Sequence, residues 1–382
     1  DYPDTNLKQL VPLKRLNYLS LEDTVDSDSI ISTDKDKIRV KDYSAISVMS
    51  GLKSLYLNSD IIKDIGFIKG LPALEDLTLE DTAVISLASL SEMPALRSLT
   101  LLGNNKVQDF GPVGTATGLT SLSIDKMTSQ PDPDLSSLSG LVKLDIKGFM
   151  SISSVRGLSG LKELSIHNCN VDQADALSSL TGVERLTFYS VWNSQGNLRS
   201  LDFLKGMTGL KYADFTGNLD GTGWSGYNYL VEVYGDVSSI FNHQGLEELY
   251  LDNGKFEINF DKIKENPGLR VLSLRNMELH KNYYVESYGG MTSVWYDDVK
   301  LGEHMDILSR FPNLEELYLD SNELTDLNFA AGLKNLKRLG LKDNYITDLS
   351  PLKQAEFLEY LDIRDNPVGE VGDVGNGVEI LQ

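Results

Sequence analysis

A short leucine pattern recurs along the whole chain and constrains its fold more than any other feature. The pattern is L-x-x-L-x-L, and successive copies most often open 22 residues apart. In one clear copy, Leu314, Leu317 and Leu319 are followed by Asn322. Fourteen copies align, opening at Leu16, Leu52, Leu74, Leu96, Leu119, Leu141, Leu161, Val183, Leu210, Leu246, Leu269, Leu314, Leu336 and Leu358. A fixed period of this length is typical of solenoid proteins.

The spacing within each copy predicts its local structure. Residues two apart on a strand share a face, so each copy predicts a short strand with leucines facing inward. The return half, such as Ile346 to Leu352, has apolar residues three apart, which favours a 3₁₀ turn or a single α turn. One unit cannot bury its leucines alone, so units stack. We predict an α/β-type solenoid, a right-handed superhelix with a parallel β-sheet on its concave face and 3₁₀ or short helical turns on its convex face.

Two further positions recur with the repeat. Asn follows the strand in five copies, where an inward amide can bond the bare backbone of the turn. At Thr24, Asp60 and Thr82 a side-chain oxygen could make a weaker version of this bond, and at the remaining copies the position is apolar, as at Met127 and Cys169. We expect looser turns at the apolar positions and read Cys169 as a small buried hydrophobe. Glycine precedes the opening leucine in seven copies, and we expect it to supply a turn conformation closed to other residues. The glycines are Gly51, Gly118, Gly140, Gly160, Gly209, Gly245 and Gly268.

With segments such as Asn344-Tyr-Ile-Thr-Asp-Leu-Ser-Pro-Leu352, the chain resembles bacterial leucine-rich repeats of the internalin-like class. The resemblance extends over about residues 5–368. It implies a single leucine-rich-repeat domain over residues 1–382, with 367–382 as a C-terminal cap. It also implies an exported or surface-attached protein that binds partners through its concave face. A signal or anchor is expected to have been removed from this sequence.

Departures from the 22-residue period predict insertions near residues 24–50, 192–198, 219–243 and 278–312. All three tryptophans fall in the last three of these segments, together with several tyrosines. Insertions in repeat proteins often map to the binding face, and exposed Tyr and Trp are frequent binding hot spots. The alternative is that these aromatic rings pack on the flank of the solenoid and seal the insertions.

The outward positions of the strands differ between the two halves of the chain. Those in the N-terminal half are small and polar, whereas those in the C-terminal half include several tyrosines and Arg275. We therefore expect the binding site between about residues 185 and 325. The candidate ligand-binding residues are Tyr189, Tyr212, Trp224, Tyr227, Tyr250, Arg275, Trp295, Tyr296 and Tyr318.

Composition excludes several classes of function. The formal net charge is −21, and an acidic surface repels phosphate backbones and anionic lipids, so we expect no nucleic-acid partner. No uncharged apolar run reaches ~18 residues, so no membrane insertion is expected. The one cysteine excludes an intramolecular disulfide and a cysteine-based zinc site.

We find no catalytic constellation and expect neither a metal nor a cofactor. His167 falls beside Asp145 and Ser165, which resembles a triad, but an open sheet neither excludes water nor orients the imidazole. The acidic stretches 23–28 and 132–134 offer oxygen ligands for calcium, but without EF-hand spacing we interpret them as solvated charge.

These observations favour a non-catalytic protein that displays a rigid surface to a protein partner, outside the cell or at its surface. Carbohydrate recognition is the first alternative, because Trp and Tyr beside Asp and Asn can stack on sugars and bond their hydroxyls. A cytosolic regulatory subunit with the same fold is the second.

Overall fold

The computed structural model describes residues 7–13, 15–22, 40, 42–189, 191, 201–217, 236–288, 291–369, 371, 374 and 377–382, and only the backbone of 255–256 and 280–296. The chain divides into two compact units, residues 1–180 and 181–382, called below the N-terminal and C-terminal units. The single domain over 1–382 stays a prediction.

The N-terminal unit alternates short strands with 3₁₀ turns. Its strands are β1 (Tyr18–Glu22), β2 (Ser54–Asn58), β3 (Asp76–Glu80), β4 (Ser98–Leu102), β5 (Ser121–Asp125), β6 (Lys143–Lys147) and β7 (Glu163–His167). Its 3₁₀ turns are Leu7–Leu10, Ser44–Val48, Gly66–Gly70, Ala88–Glu92, Gly111–Thr115, Ser153–Val155 and Ala174–Ser179. The strands pair in parallel in chain order, with equivalent leucines such as Leu77 and Leu99 opposite one another.

The C-terminal unit repeats the arrangement with shorter strands. Its strands are β8 (Arg185–Tyr189), β9 (Tyr212–Asp214), β10 (Glu248–Tyr250), β11 (Lys255–Glu257), β12 (Val271–Ser273), β13 (Glu278–Tyr288), β14 (Met291–Val299), β15 (Glu316–Tyr318), β16 (Arg338–Gly340), β17 (Tyr360–Asp362) and β18 (Glu379–Leu381). Its 3₁₀ turns are Asp202–Gly206, Ser238–Asn242, Phe260–Lys262, Leu301–Arg310, Asn328–Gly332 and Ser350–Gln354. The parallel sheet has the order β8-β9-β10-β12-β15-β16-β17-β18. The predicted leucine-rich-repeat solenoid is confirmed.

Two C-terminal features go beyond the repeat. Strand β18 lies in the predicted cap and continues the sheet, pairing Leu361 with Ile380. The predicted insertion at 278–312 contains the antiparallel hairpin β13–β14, which forms a second sheet with β11 and leads into the turn Leu301–Arg310. The insertion at 192–198 lies outside the described residues, as do most of those at 24–50 and 219–243.

Inward leucines form the core of both units, as the alternation predicts. In β3, Leu77 and Leu79 are fully buried, and their neighbours on the strand are half-buried. Phenylalanine fills this role in part of the C-terminal unit. The ring of Phe188 packs 5.6 Å from that of Phe203 and 5.4 Å from that of Phe215. The aromatic rings therefore maintain a close-packed interior where leucine is absent.

The asparagines after the strands bond the backbone of their own and neighbouring coils. The amide nitrogen of Asn344 donates to the carbonyl oxygens of Leu319 (3.0 Å) and Leu341 (2.9 Å). Its amide oxygen accepts from the backbone N–H groups of Asn322 (3.1 Å) and Leu324 (2.9 Å). One side chain thus satisfies four backbone groups that strand pairing leaves open.

Cys169 occupies the same position and bonds in the same pattern. Its Sγ accepts from the N–H of Phe149 at 3.3 Å and lies 3.1 Å from the His167 carbonyl and 3.7 Å from that of Ile146. The thiol is therefore a polar member of the column as well as a buried one, and the reading of Cys169 as only a hydrophobe is corrected. Burial raises the pKa of the Cys169 thiol to about 12.

Met127 does not turn inward, contrary to the prediction. It is 50% exposed, whereas Lys126 is 4% exposed and takes the inward place. The Nζ of Lys126 donates to the carbonyls of Gln130 (2.7 Å) and Gly148 (2.8 Å) and pairs with Asp132 at 2.8 Å. A charged ammonium, satisfied by backbone and carboxylate, replaces the amide at this coil.

A left-handed backbone residue precedes most positions of the asparagine column, which the sequence analysis missed. Positive φ values occur at Asp81, Gly103, Gly148, Asn168, Gly217, Asn253, Asn276, Ser321, Asp343 and Asp365. Gly, Asn and Asp tolerate this region better than other residues. At the equivalent place stands Lys126, which is not among these residues, and there the chain takes a different path.

The glycines before the opening leucines serve another purpose than we predicted. Their φ values are not positive. They lie instead where the backbones of adjacent coils approach: a Cβ at Gly160 would lie 3.1 Å from the Leu141 oxygen, and one at Gly268 3.0 Å from the Gln244 oxygen. A side chain at these two positions would crowd the adjacent coil, and no unusual backbone conformation is involved.

Replacing Asn344 by Ala is expected to lower the free energy of unfolding by about 3 kcal/mol, because buried backbone groups lose their partners. Urea unfolding followed by circular dichroism measures the change. Asn335 is exposed, with its amide 3.1 Å from the Pro312 oxygen, so Asn335→Ala is the matched control and should change the free energy by less than ~1 kcal/mol. Equal effects of the two substitutions would contradict the proposed role of the column.

Cys169 is expected to react with the thiol reagent DTNB at about pH 8 at least ~1,000-fold more slowly in the native protein than in urea. The thiolate is the reactive form, and a thiol pKa of about 12 leaves very little of it. Absorbance of the released thiol measures both rates. Comparable rates would mean that the thiol is accessible and not bonded within its coil.

Candidate functional site

Three rows of side chains cross the solvent face of the parallel sheet in the C-terminal unit, called here the outer face. Parallel pairing without slippage places equivalent residues of successive strands side by side. The first row is Arg185, Tyr212, Glu248, Val271, Glu316, Arg338 and Tyr360. The second row is Thr187, Asp214, Tyr250, Ser273, Tyr318, Gly340 and Asp362. The third row, one residue beyond the inward position that follows, includes Asp252, Arg275, Asp320, Lys342 and Arg364.

Arginine side chains cover three of the tyrosine rings on this face. The Arg185 guanidinium lies 3.7 Å from the centre of the Tyr212 ring, and that of Arg275 lies 4.2 Å from the Tyr318 ring. Arg338 covers Tyr360 at 4.3 Å. Such cation–π contacts hold the rings in place and leave them half-exposed.

The tyrosine hydroxyls are bonded to carboxylates two residues away on the same strand. Tyr250 donates to Glu248 at 3.2 Å, Tyr318 to Glu316 at 2.6 Å and Tyr212 to Asp214 at 3.3 Å. Burial, followed by the Asp214 charge, raises the pKa of Tyr212 to about 12. Burial and the charge of the bonded glutamate likewise raise the pKa of Tyr250 and of Tyr318. The hydroxyls stay protonated donors at neutral pH.

Arg275 is held between two carboxylates of neighbouring strands. Its Nε donates to Asp320 at 2.7 Å and its Nη1 to Asp252 at 3.1 Å. Burial opposes the charged form, but these carboxylates outweigh it and raise the pKa of Arg275. Asp252 is itself fixed by the Ser273 hydroxyl at 2.6 Å. The arginine is therefore a rigid support for the Tyr318 ring.

The structure brings four of the candidate residues together as two pairs. Tyr212 and Tyr250 lie with ring centres 5.4 Å apart, and Arg275 covers Tyr318. Tyr189 is 52% exposed, and its ring lies over Gly217, where a Cβ would be 3.0 Å from its Cε2 atom. Trp224 and Tyr227 lie outside the described residues, and Trp295 and Tyr296 belong to β14, whose side chains there are not described.

Sequence reasoning missed the partners that order these tyrosines. The first row holds Arg185, Arg338, Glu248 and Glu316, two residues before the second-row positions on which the prediction concentrated. Aligning the residue two positions before the second row in each repeat would have placed Arg185 beside Tyr212 and Arg338 beside Tyr360.

The outward side chains of the N-terminal unit are mostly polar but not all small, contrary to the prediction: Tyr18 is 57% exposed, and the Tyr56 hydroxyl donates to Glu80 at 3.0 Å. His167 Nε2 lies 3.4 Å from Asp145, and the hydroxyl that donates to Asp145, at 3.2 Å, belongs to Ser123. The carboxylate thus stands between hydroxyl and imidazole, whereas activation of a serine places the imidazole there.

Two cavities of the described structure are lined by residues outside the three rows, and no metal site is found among the described residues. Among the described residues, no group of three or more His, Cys, Asp or Glu side chains is arranged to hold a metal ion. Asp132, which we interpreted as solvated, instead pairs with buried Lys126, and stretch 23–28 lies outside the described residues. A cavity of 560 Å³ is lined by residues between Asp42 and Phe67, and one of 340 Å³ by residues including Leu201 and His243.

In the described part of the chain, no helix has the length and apolarity to cross a bilayer.

Gly340 gives the Tyr318 ring its place on the outer face. A Cβ at Gly340 would lie 2.9 Å from the ring's Cδ1 atom and 3.0 Å from Asp320 Oδ1. Gly340→Ala is therefore expected to displace the ring and lower the free energy of unfolding by ~1–3 kcal/mol, as measured by urea unfolding. Gly332→Ala, which meets no atom within 4 Å, is the matched control and should stay within ~0.5 kcal/mol of the parent. An unchanged stability of the Gly340 variant would contradict this packing.

Comparisons with known proteins agree on the fold. A family model described as Leucine Rich repeats (2 copies) matches residues 312–354. No curated protein sequence matches the chain. A crystal structure of an internalin (InlF) from Listeria monocytogenes is similar over 100% of this chain and 95% of its own, with 16% identity and a TM-score of 0.59.

Two further solved structures are similar at the same low identity. A leucine-rich-repeat protein of Leptospira interrogans covers 98% of both chains with 17% identity and a TM-score of 0.54. TLR13, solved in complex with ssRNA13, matches 93% of this chain and 51% of its own, with 16% identity and a TM-score of 0.58. The chain therefore has the leucine-rich-repeat fold, and bacterial proteins of that fold, an internalin among them, resemble it over nearly its whole length.

Proposed function

We propose that the chain is a non-catalytic binding protein that recognises a protein partner through the outer face of its C-terminal unit. The observation that carries this proposal is the set of half-exposed tyrosines, Tyr212, Tyr250 and Tyr318, each bonded to a carboxylate on its own strand. Buried leucines beneath them fix the strands on which they stand.

The chemistry of these side chains suits recognition of a protein. Tyrosine provides a large amphipathic contact with few rotatable bonds, which is why it is frequent in binding hot spots. The contacts with arginine and carboxylate already restrict the rings before a partner arrives. Less side-chain entropy is then lost on binding.

The charge of the chain favours a basic partner. A formal net charge of −21 gives long-range attraction to basic protein surfaces and repulsion of phosphate backbones. The similarity to TLR13, which was solved with an RNA, concerns the fold only and gives no reason to propose RNA as a ligand here.

Four more residues belong to the proposal as candidate contacts from the insertions: Trp224, Tyr227, Trp295 and Tyr296. Tyr189, at the edge of the outer face, is a fifth. A location outside the cell or at its surface is proposed with them, on the strength of the internalin-like resemblance, and labelling of intact cells with an antibody tests it. Detection of the protein only after lysis would favour the cytosolic regulatory subunit instead.

The test is a screen of the purified protein against an array of extracellular protein domains and, in parallel, against a glycan array. We expect saturable binding to a protein, weakened at least ~10-fold by Tyr250→Ala and by Tyr318→Ala, because hot-spot truncation removes more than ~1.4 kcal/mol. Tyr345→Ala is the matched control, since Tyr345 is 59% exposed but stands in a turn, away from the three rows.

Two results would contradict the proposal. Saturable sugar binding that is lost in Trp224→Ala or Trp295→Ala would establish carbohydrate recognition in its place. Equal protein binding by the Tyr250, Tyr318 and Tyr345 variants would place the interface elsewhere on the molecule.

A further inference from the structure

Strands β10, β12 and β15 form a slot on the outer face of the C-terminal unit. In the first row Val271 lies between Glu248 and Glu316, and in the second row Ser273 lies between Tyr250 and Tyr318. Short side chains on the middle strand thus separate two longer Glu–Tyr pairs. Ser273 is fully buried and Val271 is half-buried, so the accessible floor between the pairs is at Val271. With neighbouring strands ~4.8 Å apart, the backbones that carry the two pairs are ~10 Å apart. We call these six residues the acidic slot.

The two glutamates of the slot have no basic side chain within ion-pair distance in the described part of the chain. Other carboxylates of the same face are paired: Asp252 and Asp320 with Arg275, and Asp362 with Arg364. Arg338 neighbours Glu316 on β16 and interacts with its charge, but the guanidinium lies over Tyr360, beyond ion-pair distance of Glu316. Both glutamates are only half-buried, so their charges face solvent.

Both glutamate charges act on one point of the slot. Each raises the pKa of the Tyr250 hydroxyl, although burial contributes more. Glu316 stands two strands away from Tyr250, so its charge reaches across Val271 and Ser273. The negative potentials of Glu248 and Glu316 therefore add at the Tyr250 hydroxyl.

Tyr250 also differs from the other tyrosines of the outer face in the side chains that lie over its ring. Tyr212, Tyr318 and Tyr360 each have an arginine over the ring, whereas no described Lys or Arg lies over Tyr250. Its recorded ring contact is with Tyr212, on the side of β9. On the other side of β10 the next strand is β12, which places the short side chains of Val271 and Ser273 beside Glu248 and Tyr250.

We propose that the acidic slot binds the guanidinium of an arginine side chain presented by the protein partner. The guanidinium stacks on Tyr250 and donates N–H groups toward Glu248 and Glu316, and its methylene stem lies on Val271. Charge complementarity and three intramolecular precedents for arginine on tyrosine on this face support this occupant. The inference rests on the proposed function and names the partner group that its interface takes.

The test uses the whole protein, labelled with ¹³C in its tyrosine rings, and three probe peptides. These are Ac-Gly-Ala-Arg-Ala-Gly-NH₂ and its lysine and citrulline analogues. We expect the arginine peptide to shift the Tyr250 ring signal saturably. The lysine analogue should bind at least ~3-fold more weakly because it lacks a planar group for stacking, and the uncharged citrulline analogue should give no saturable shift.

Glu248→Gln and Glu316→Gln should each weaken binding of the arginine peptide at least ~5-fold, since each removes a charged acceptor. Glu359→Gln is the matched control: it removes the same charge from an exposed residue just before β17, outside the slot, and should change affinity less than ~2-fold. Urea unfolding of all three variants checks that their folds are equally stable.

Each contrary result has a distinct meaning. The proposal is overturned if the Tyr250 signal does not move, if citrulline or lysine binds as tightly as arginine, or if Glu359→Gln weakens binding as much as the slot variants do. A protein partner identified on the array separates this outcome from failure of the proposed function. Partner binding that needs Tyr250 and Tyr318 but tolerates Glu248→Gln and Glu316→Gln retains the interface and rejects the slot.

Discussion

The structure depends on hydrogen bonds to the backbone N–H and C=O groups at the point where each strand ends and the coil turns. Within a strand, neighbouring coils satisfy each other's N–H and C=O groups, but at the turn these groups would be buried without partners. Asn344 bonds four of them at once, and the Cys169 thiol fills the same place with a weaker donor and acceptor. Lys126 does so with an ammonium that also takes Asp132. At these three coils a polar group reaches three or more backbone atoms, and different chemistries do so, whereas the buried Phe149 stands at the equivalent place of another coil.

This constraint aligns equivalent residues of successive repeats in rows on the surface of the sheet. Because the coils close at equivalent points, residues 19 to 45 positions apart along the chain stand side by side on adjacent strands. Arg275 reaches Asp252 on one neighbouring strand and Asp320 on the other, although the latter is 45 residues away in sequence. The 278–312 insertion explains that gap, yet it leaves the register of β12 with β15 unchanged. An insertion can therefore add the hairpin β13–β14 without disturbing the rows that it interrupts.

The sequence predicted the repeat strands and their inward leucines, because a two-residue alternation leaves few choices once one side is buried. It failed where a position is decided by the path of the backbone. At Lys126 the residue that elsewhere adopts positive φ is a lysine, and the chain turns a different side chain inward. The glycines before the strands were assigned a special conformation when the true reason is a carbonyl of the adjacent coil about 3 Å away. Strand β18 was missed because Leu361 pairs with Ile380 in a segment that lacks the leucine pattern.

On the outer face, the tyrosine rings that are covered by arginines differ from the acidic slot, where we propose that a partner binds. Arg185, Arg275 and Arg338 each cover a tyrosine ring of a neighbouring strand, so those rings are held in place. On β12 the row positions hold Val271 and Ser273, which are too short to reach either wall. An arginine at position 271 would have closed the gap between Glu248 and Glu316 from within the chain. Because valine stands there, β12 places no cation between Glu248 and Glu316, and no described Lys or Arg lies over the Tyr250 ring.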